Sequence, residues 1–311
     1  MKQLTVISGK GGTGKTTLTA AIATLSRSHV LADCDVDAAD LHLILEPTVE
    51  TCEDFQGGKT ALIDADACVR CDECVKRCRF DAIHDYTVNT ISCEGCGVCA
   101  QVCPQGAVSM QQHVSGQWFV SRTRAGYMVH ARLGIAEENS GKLVTLIRQE
   151  GRKLAESRGL KLLLTDGPPG IGCPVIASLG GATAVLIVTE PTVAGRHDME
   201  RVAELAAVFR IPAMVCTNKF DLNLRQTEAI EGWAQERRLT VLGRIPFDPV
   251  FTAAMVQGRT VIEYDAASAG AGGADQAVQQ AVPERAGGQL HRDRRLRGER
   301  PGRAEDPHAR R

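Results

Sequence analysis

The chain has 311 residues, a formal net charge of −1 and a hydrophobic content of 43%, enough for one large globular domain or for a domain carrying an insert. The near-neutral balance and the 4% aromatic content argue against a nucleic-acid partner. No apolar run is long enough to span a bilayer, so the expectation is a cytoplasmic protein without stable membrane association.

In chain order, "QLTVIS" over 3–8 predicts a first strand, followed by a glycine-rich loop and a helix from about Gly14 to Ser28. "HVLADCD" over 29–35 predicts the second strand. Later come a helix over Ser140–Arg158, strands "LKLLLTD" (160–166) and "TAVLIVTE" (183–190), a helix over Asp198–Phe209, and strands "PAMVCTN" (212–218) and "LTVLGRIP" (239–246). Apolar strands separated by helices predict an α/β fold with a doubly wound, mostly parallel sheet covered on both faces. Residues 59–112 break this rhythm. Cys68, Cys71, Cys74 and Cys78 recur there as Cys93, Cys96, Cys99 and Cys103, each shifted by 25 positions. The expected organisation is a nucleotide domain in two parts, 1–58 and 113–264, with a small unit of 59–112 inserted. From Asp265 the composition turns Ala/Gly-rich and then Arg-rich, which predicts a disordered tail over 265–311.

"SGKGGTGKTT" (8–17) contains the pattern G-x-x-x-x-G-K-[ST] between a strand and a helix, the context a phosphate-binding loop requires. Backbone N–H groups from Gly11, Gly12, Thr13, Gly14, Lys15 and Thr16 would face the phosphates, with Gly9 opening the loop and Thr17 extending it into the helix. Lys15 would neutralise the β and γ oxygens and Thr16 would give its hydroxyl to Mg²⁺. Asp166 ends an apolar strand and is placed to hold the Mg²⁺ shell, as a Walker B residue does. Asp33 and Asp35 end the second strand, and Asp35, further into the loop, is the better candidate to orient an attacking water.

The segment "KGGTGKTT" resembles the deviant Walker A motif of the MinD/ParA/nitrogenase-iron-protein class of P-loop ATPases. That resemblance implies ATP and Mg²⁺ as ligands. It also implies that the extra lysine, Lys10, reaches across a dimer to the partner's phosphates, and it matches Asp35 and Asp166 to the class's catalytic aspartates. "NKFD" (218–221) would read guanine in a GTPase, but in this class an Asn at that strand end contacts adenine, and Asn218 fits the place.

The run C-x2-C-x2-C-x3-C, present twice, has the spacing of bacterial two-cluster ferredoxins and implies two [4Fe–4S] clusters. Cys68, Cys71 and Cys74 would share one cluster with Cys103, and Cys93, Cys96 and Cys99 the other with Cys78. Gly95, Gly97 and Ala100 leave room for a cluster and free N–H groups for its sulfurs. Arg79 stands where the usual pattern has a proline, retained as Pro104. Zinc, which also takes four thiolates, fits the interleaved repeat poorly. Cys34, Cys52 and Cys216 read as core or loop residues. Cys173 lies seven residues after Asp166, where the nitrogenase iron protein carries a ligand of a subunit-bridging cluster, but without a second cysteine upstream.

Together the two halves resemble a family of MinD-superfamily ATPases with an inserted ferredoxin, across about residues 1–264, including "ARLGIAEENSGKLV" (131–144) and "DGPPGIGCPVIASL" (166–179). The resemblance implies a homodimer, or a heterodimer with a sister ATPase, and an unidentified redox partner. The leading expectation is ATP-dependent dimer closure coupled to electron transfer. The alternatives are an iron–sulfur carrier or assembly ATPase, and a MinD-like positioning ATPase.

Overall fold

Strand β1 (Lys2–Ser8) is buried from Leu4 onward, because "LTVI" feeds the centre of a sheet covered on both faces. The computed structural model describes residues 1–134 and 140–282. Part of the stretch 131–144 and the Arg-rich tail from 283 therefore lie outside the described residues.

After β1 come α1 (Lys15–Leu25), β2 (His29–Asp33), α2 (Leu41–Leu45) and β3 (Thr48–Phe55). The cysteine-bearing stretch holds β4 (Gly58–Ile63), α3 (Glu73–Arg77), β5 (Ile83–His84), β6 (Thr87–Val88), α4 (Val98–Val102) and β7 (Val108–His113). Then follow β8 (Gly116–Thr123), β9 (Gly126–Leu133), α5 (Ser140–Ser157), β10 (Leu162–Pro169), α6 (Cys173–Leu179), β11 (Ala184–Thr189) and α7 (Val193–Val208). The described chain ends with β12 (Ala213–Asn218), α8 (Leu224–Glu236), β13 (Thr240–Ile245), α9 (Val250–Val256), α10 (Val261–Tyr264) and α11 (Ala269–Ala281).

Nine strands form one sheet in the order β13-β12-β11-β1-β10-β2-β9-β8-β3. The run from β13 to β9 is parallel, as expected, and β8 and β3 extend it antiparallel. One face packs against α1 and α11 around Leu18, Ile22, Leu31 and Val278. The other packs against α5, α7 and α8 around Leu143, Ile147, Met199 and Trp233. β1 lies between β10 and β11, so the loop after it opens where the strand order reverses, at the carboxyl edge where ligands of such sheets bind.

Two stretches differ from the sequence expectation. The helix expected from Asp198 begins at Val193, because Thr192 caps it by accepting the Gly195 N–H, and the glycine in that first turn disguises the start. The disorder expected from Asp265 gives way to α11, capped by Ser268. Its buried Ala271, Ala274, Ala277 and Val278 follow helical spacing but carry little apolar bulk, so the segment reads as low complexity. Gly273 lets α11 close on β13, since a Cβ there would stand 3.0 Å from the Arg244 carbonyl oxygen.

The antiparallel ladders of β3 with β8 and of β4 with β7 keep one register across a four-residue gap, with Phe55 opposite Gly116 and Gly58 opposite His113. The Ser115 N–H donates to the Phe55 carbonyl in that gap at 2.7 Å. The two ladders, which belong to separate sheets, thus follow one another from the edge of the main sheet to the cysteine repeat.

Candidate functional site

The loop between β1 and α1 is shaped by glycines that admit no side chain. Gly12 and Gly14 are left-handed (φ 78° and 87°), and a Cβ on Gly14 would stand 2.3 Å from Asn218 Nδ2. A Cβ on Gly9 would stand 2.2 Å from that of Asp198. The loop lines a cleft of about 440 Å³ whose wall includes Gly11, Gly12, Thr13, Gly14, Lys15, Thr16, Thr17, Asp35 and Asn218. Phe247, Phe251 and Met255 close its far end.

Beneath the cleft, Lys15 Nζ stands 3.0 Å from Asp166 Oδ2 and 3.3 Å from Asp35 Oδ2. The Thr16 hydroxyl donates to Asp166 Oδ2 and the Thr19 hydroxyl to Asp166 Oδ1, both at 2.8 Å. Asp33 and Asp166 are each 1% exposed. Burial, and then Asp166 beside it, push the Asp33 carboxyl well above the usual carboxylate range. Burial also raises Asp35, with Lys15 opposing. For Lys15 burial acts against the charge, but Asp166 and Asp35 outweigh it and the ammonium is held above its ordinary value. A cationic hole between aspartates, roofed by backbone N–H groups at a helix N-terminus, suits a nucleotide's phosphates and its divalent ion.

Lys10 and Gly9 are off the cleft wall. Lys10 Nζ pairs with Glu190 Oε1 of its own chain, and Lys219 Nζ lies 3.4 Å from the other oxygen, Oε2. Lys219 also donates to the Gly12 carbonyl at 3.0 Å. Desolvation raises the Glu190 carboxyl, but the two lysines outweigh it and hold the group below its ordinary value. Asn218 has both ends of its carboxamide on backbone: Nδ2 donates to the Thr13 carbonyl at 2.8 Å and Oδ1 accepts the Lys219 N–H at 3.0 Å. Asp221 accepts the Phe247 N–H at 2.7 Å. Glu190 and Thr19 escape sequence reading because no motif marks them, and Lys219, though inside "NKFD", is not singled out. One signal was available, since Asp33, Glu190 and Asn218 stand at or just beyond the carboxyl ends of parallel strands, and Asp166, inside β10, pairs with Asp33 at the end of β2.

In the cysteine repeat, Cys78, Cys93, Cys96 and Cys99 line one small cavity of about 20 Å³, with Ala61, Phe80, Ile83, Val88 and Met110 among its walls. Thiols around a dry, apolar space suit an inorganic sulfide cluster, whose sulfurs take N–H donors rather than water. Such donors are present: the Ala82 N–H reaches Cys78 Sγ at 3.5 Å and the Ala107 N–H reaches Cys103 Sγ at 3.2 Å, again 25 positions apart. At Cys103 desolvation is outweighed by N–H groups from Gln105 to Val108, which lower the thiol. Cys68 and Cys71 lie close enough to Cys74 to add to the rise that desolvation causes in its thiol. The backbone repeats as well. Left-handed residues stand at Arg70, Asp72 and Asp81 and, 25 positions on, at Gly95, Gly97 and Gly106. Among the described residues no three His, Cys, Asp or Glu side chains converge on a single-ion position.

Of the other cysteines, Cys34 and Cys216 are buried, and desolvation pushes the Cys216 thiol up to about 12. Cys52 is exposed on β3, and Cys173 is exposed in an open groove beside Lys142 and Ile176.

Comparison with known proteins agrees with this geometry. The family model described as the CobQ/CobB/MinD/ParA nucleotide binding domain matches residues 4–261. An uncharacterized protein of Methanocaldococcus jannaschii, MJ0578, is 32% identical over 225 residues, covering 71% of this chain and 79% of the relative. The pyruvate synthase subunit PorD of Methanothermobacter marburgensis is 35% identical over 51 residues, 16% of this chain and 63% of that subunit. Among solved structures, the septum site-determining protein MinD of Pyrococcus horikoshii, complexed with Mg-ADP, superposes with a TM-score of 0.58 at 17% identity, covering 90% of this chain and 96% of that one. With a family model spanning the sheet and the phosphate loop, the chain belongs to the CobQ/CobB/MinD/ParA nucleotide-binding domain family.

Proposed function

We propose that the chain binds and hydrolyses ATP with Mg²⁺ across a dimer, and that closure of the dimer controls electron transfer through two [4Fe–4S] clusters held in residues 59–112. The observation that carries the iron–sulfur half is the apolar cavity ringed by Cys78, Cys93, Cys96 and Cys99, the set that an interleaved two-cluster arrangement requires. The 51-residue likeness to PorD is consistent with it. The clusters, when bound, would supply one-electron acceptors; Cys68, Cys71, Cys74 and Cys103 would hold the second of them.

For the ATPase half, Lys15 would exchange its contacts with Asp166 and Asp35 for the β and γ phosphates. That exchange would free Asp35 to orient water and leave Thr16 and Asp166 to hold the ion shell. Asp221 Oδ1 accepts the Phe247 N–H, and ATP is taken over GTP on the resemblance of the phosphate loop to the deviant Walker A class. Lys10 would leave Glu190 for the partner's phosphates, whether the partner is a second copy or a sister ATPase. Coupling would run through the two ladders of β3 with β8 and β4 with β7, since β9 carries it to β2 and hence to Asp33.

Anaerobically reconstituted protein tests the pairing of the two halves. The expected result is about eight irons per chain, in two clusters of four, together with ATP hydrolysis that Lys10→Ala abolishes while nucleotide binding persists. Iron that passes rapidly to an apo-acceptor would favour the carrier reading. Hydrolysis in a chain that takes up no cluster would leave a MinD-like switch.

A further inference from the structure

The two cysteine loops solve one backbone problem in different ways. In the second loop Gly95 and Gly97 take left-handed conformations (φ 61° and 76°), which cost glycine little. Gly95 has no alternative, since a Cβ there would stand 2.2 Å from the Lys59 carbonyl oxygen. In the first loop the same two places are Arg70 (φ 55°) and Asp72 (φ 65°), where an L side chain crowds its own backbone. Strain of this kind persists only where the surroundings enforce it.

Asp72 caps α3, its carbonyl accepting the Lys76 N–H at 2.9 Å, and one further side chain bonds to both residues. Tyr86 Oη donates to Asp72 Oδ1 at 2.6 Å and lies 3.2 Å from the Arg70 carbonyl oxygen. The Arg70 guanidinium sits over the same ring, 5.6 Å from its centroid. Tyr86 therefore grips both left-handed residues. It is itself strained: Asp85 and Tyr86 (φ 47° and 61°) are the two residues joining β5 to β6, a positive-φ pair of the sort for which Asp-Gly is the usual choice. The position 25 residues on is Gln111, inside β7, so no tyrosine stands at the matching place of the second loop.

We propose that Tyr86 is the positioning residue of the first cysteine loop, doing with a hydroxyl what Gly95 and Gly97 do by conformational freedom in the second. The proposal rests on the cluster reading above. It makes the two cluster sites unequal: the site of Cys68, Cys71 and Cys74 depends on a side-chain clamp, and the site of Cys93, Cys96 and Cys99 does not.

The test uses the full-length chain reconstituted under anaerobic conditions, with iron and sulfide counted per chain, iron release to a chelator followed in time, and EPR recorded after reduction. Tyr86→Phe keeps the ring over Arg70 and removes only the hydroxyl. It is expected to release half of its iron about tenfold faster than wild type, the scale of a lost hydrogen bond to a charged group, while the other half and its EPR signal stay unchanged. Arg70→Gly and Asp72→Gly, introduced together into the Tyr86→Phe background, are expected to restore wild-type release, because glycine needs no clamp. ATP affinity on the same samples stays at the wild-type value and marks each variant as folded. Equal release from both sites in Tyr86→Phe, or no rescue by the glycines, overturns the proposal. Wild-type protein that takes up no cluster defeats the cluster reading itself, a result distinct from two clusters indifferent to Tyr86.

Discussion

Lys10 pairs with Glu190 of its own chain, so a lysine proposed to serve a second subunit begins in an internal ion pair. Releasing it costs that pair and exposes Glu190 to Lys219 alone. Glu190→Gln should therefore lower the ATP concentration at which the dimer forms, as read by light scattering. Lys10→Ala should keep nucleotide binding and lose hydrolysis by about a thousandfold or more, the scale of a charge supplied in trans. The carboxylates set a pH dependence of the nucleotide-free protein. Burial, and then Asp166, raise the proton affinity of Asp33 in the folded state above that in the unfolded chain. Above the ordinary carboxylate range the unfolded chain gives up that proton while the folded one keeps it, and stability falls as pH rises until Asp33 itself ionises. Asp33→Asn should raise the melting temperature at pH 7 and leave it unchanged near pH 3, where both side chains are neutral. At this scale the sequence was informative wherever a motif fixed residue types: Lys15, Thr16, Asp35 and Asp166 do converge. Glu190 and Tyr86 were invisible because their roles depend on what the fold brings near them.

Among the elements, the parallel strands were legible because each is an apolar run between helices. The hairpin of β8 and β9 was not foreseen. Its burial follows no clean period, as the mixed exposure of "GQWFVSRT" illustrates. The final helix, α11, was read as disorder for a related reason: its seam is made of alanine and glycine, whose burial signal is weak. Yet the seam is tight. Ala274 is fully buried against the cluster that includes Leu242 and Ile245. Ala274→Asp would bury an unpaired carboxylate and should cost about 3 kcal/mol or more, read as a drop in the urea midpoint. A result near zero would mean that α11 adds nothing to the sheet. In the cysteine repeat the 25-residue recurrence of the cysteines was legible. The left-handed places at Arg70 and Asp72 were not: Asp only modestly favours positive φ and Arg does not.

Across the whole molecule, the phosphate loop opens at the point where strand order reverses, and the two ladders leaving the opposite flank of the sheet hold their register into the cysteine repeat. No helix among the described residues is long and apolar enough to cross a membrane. Ladders of fixed register transmit a shift of β2 and β9 better than a flexible linker would, and one extra residue between them would turn every following side chain to the other face. Inserting a glycine after Gly57 should thus leave ATP hydrolysis and iron content intact while uncoupling them. The most direct measurement of that coupling is anaerobic EPR of the reduced, cluster-loaded protein, recorded with and without Mg-ATP, in wild type and in Lys10→Ala. The account predicts that Mg-ATP shifts the spectrum of wild type and not of the variant. Identical wild-type spectra in both states, with unchanged rates of electron transfer to an acceptor dye, would contradict it.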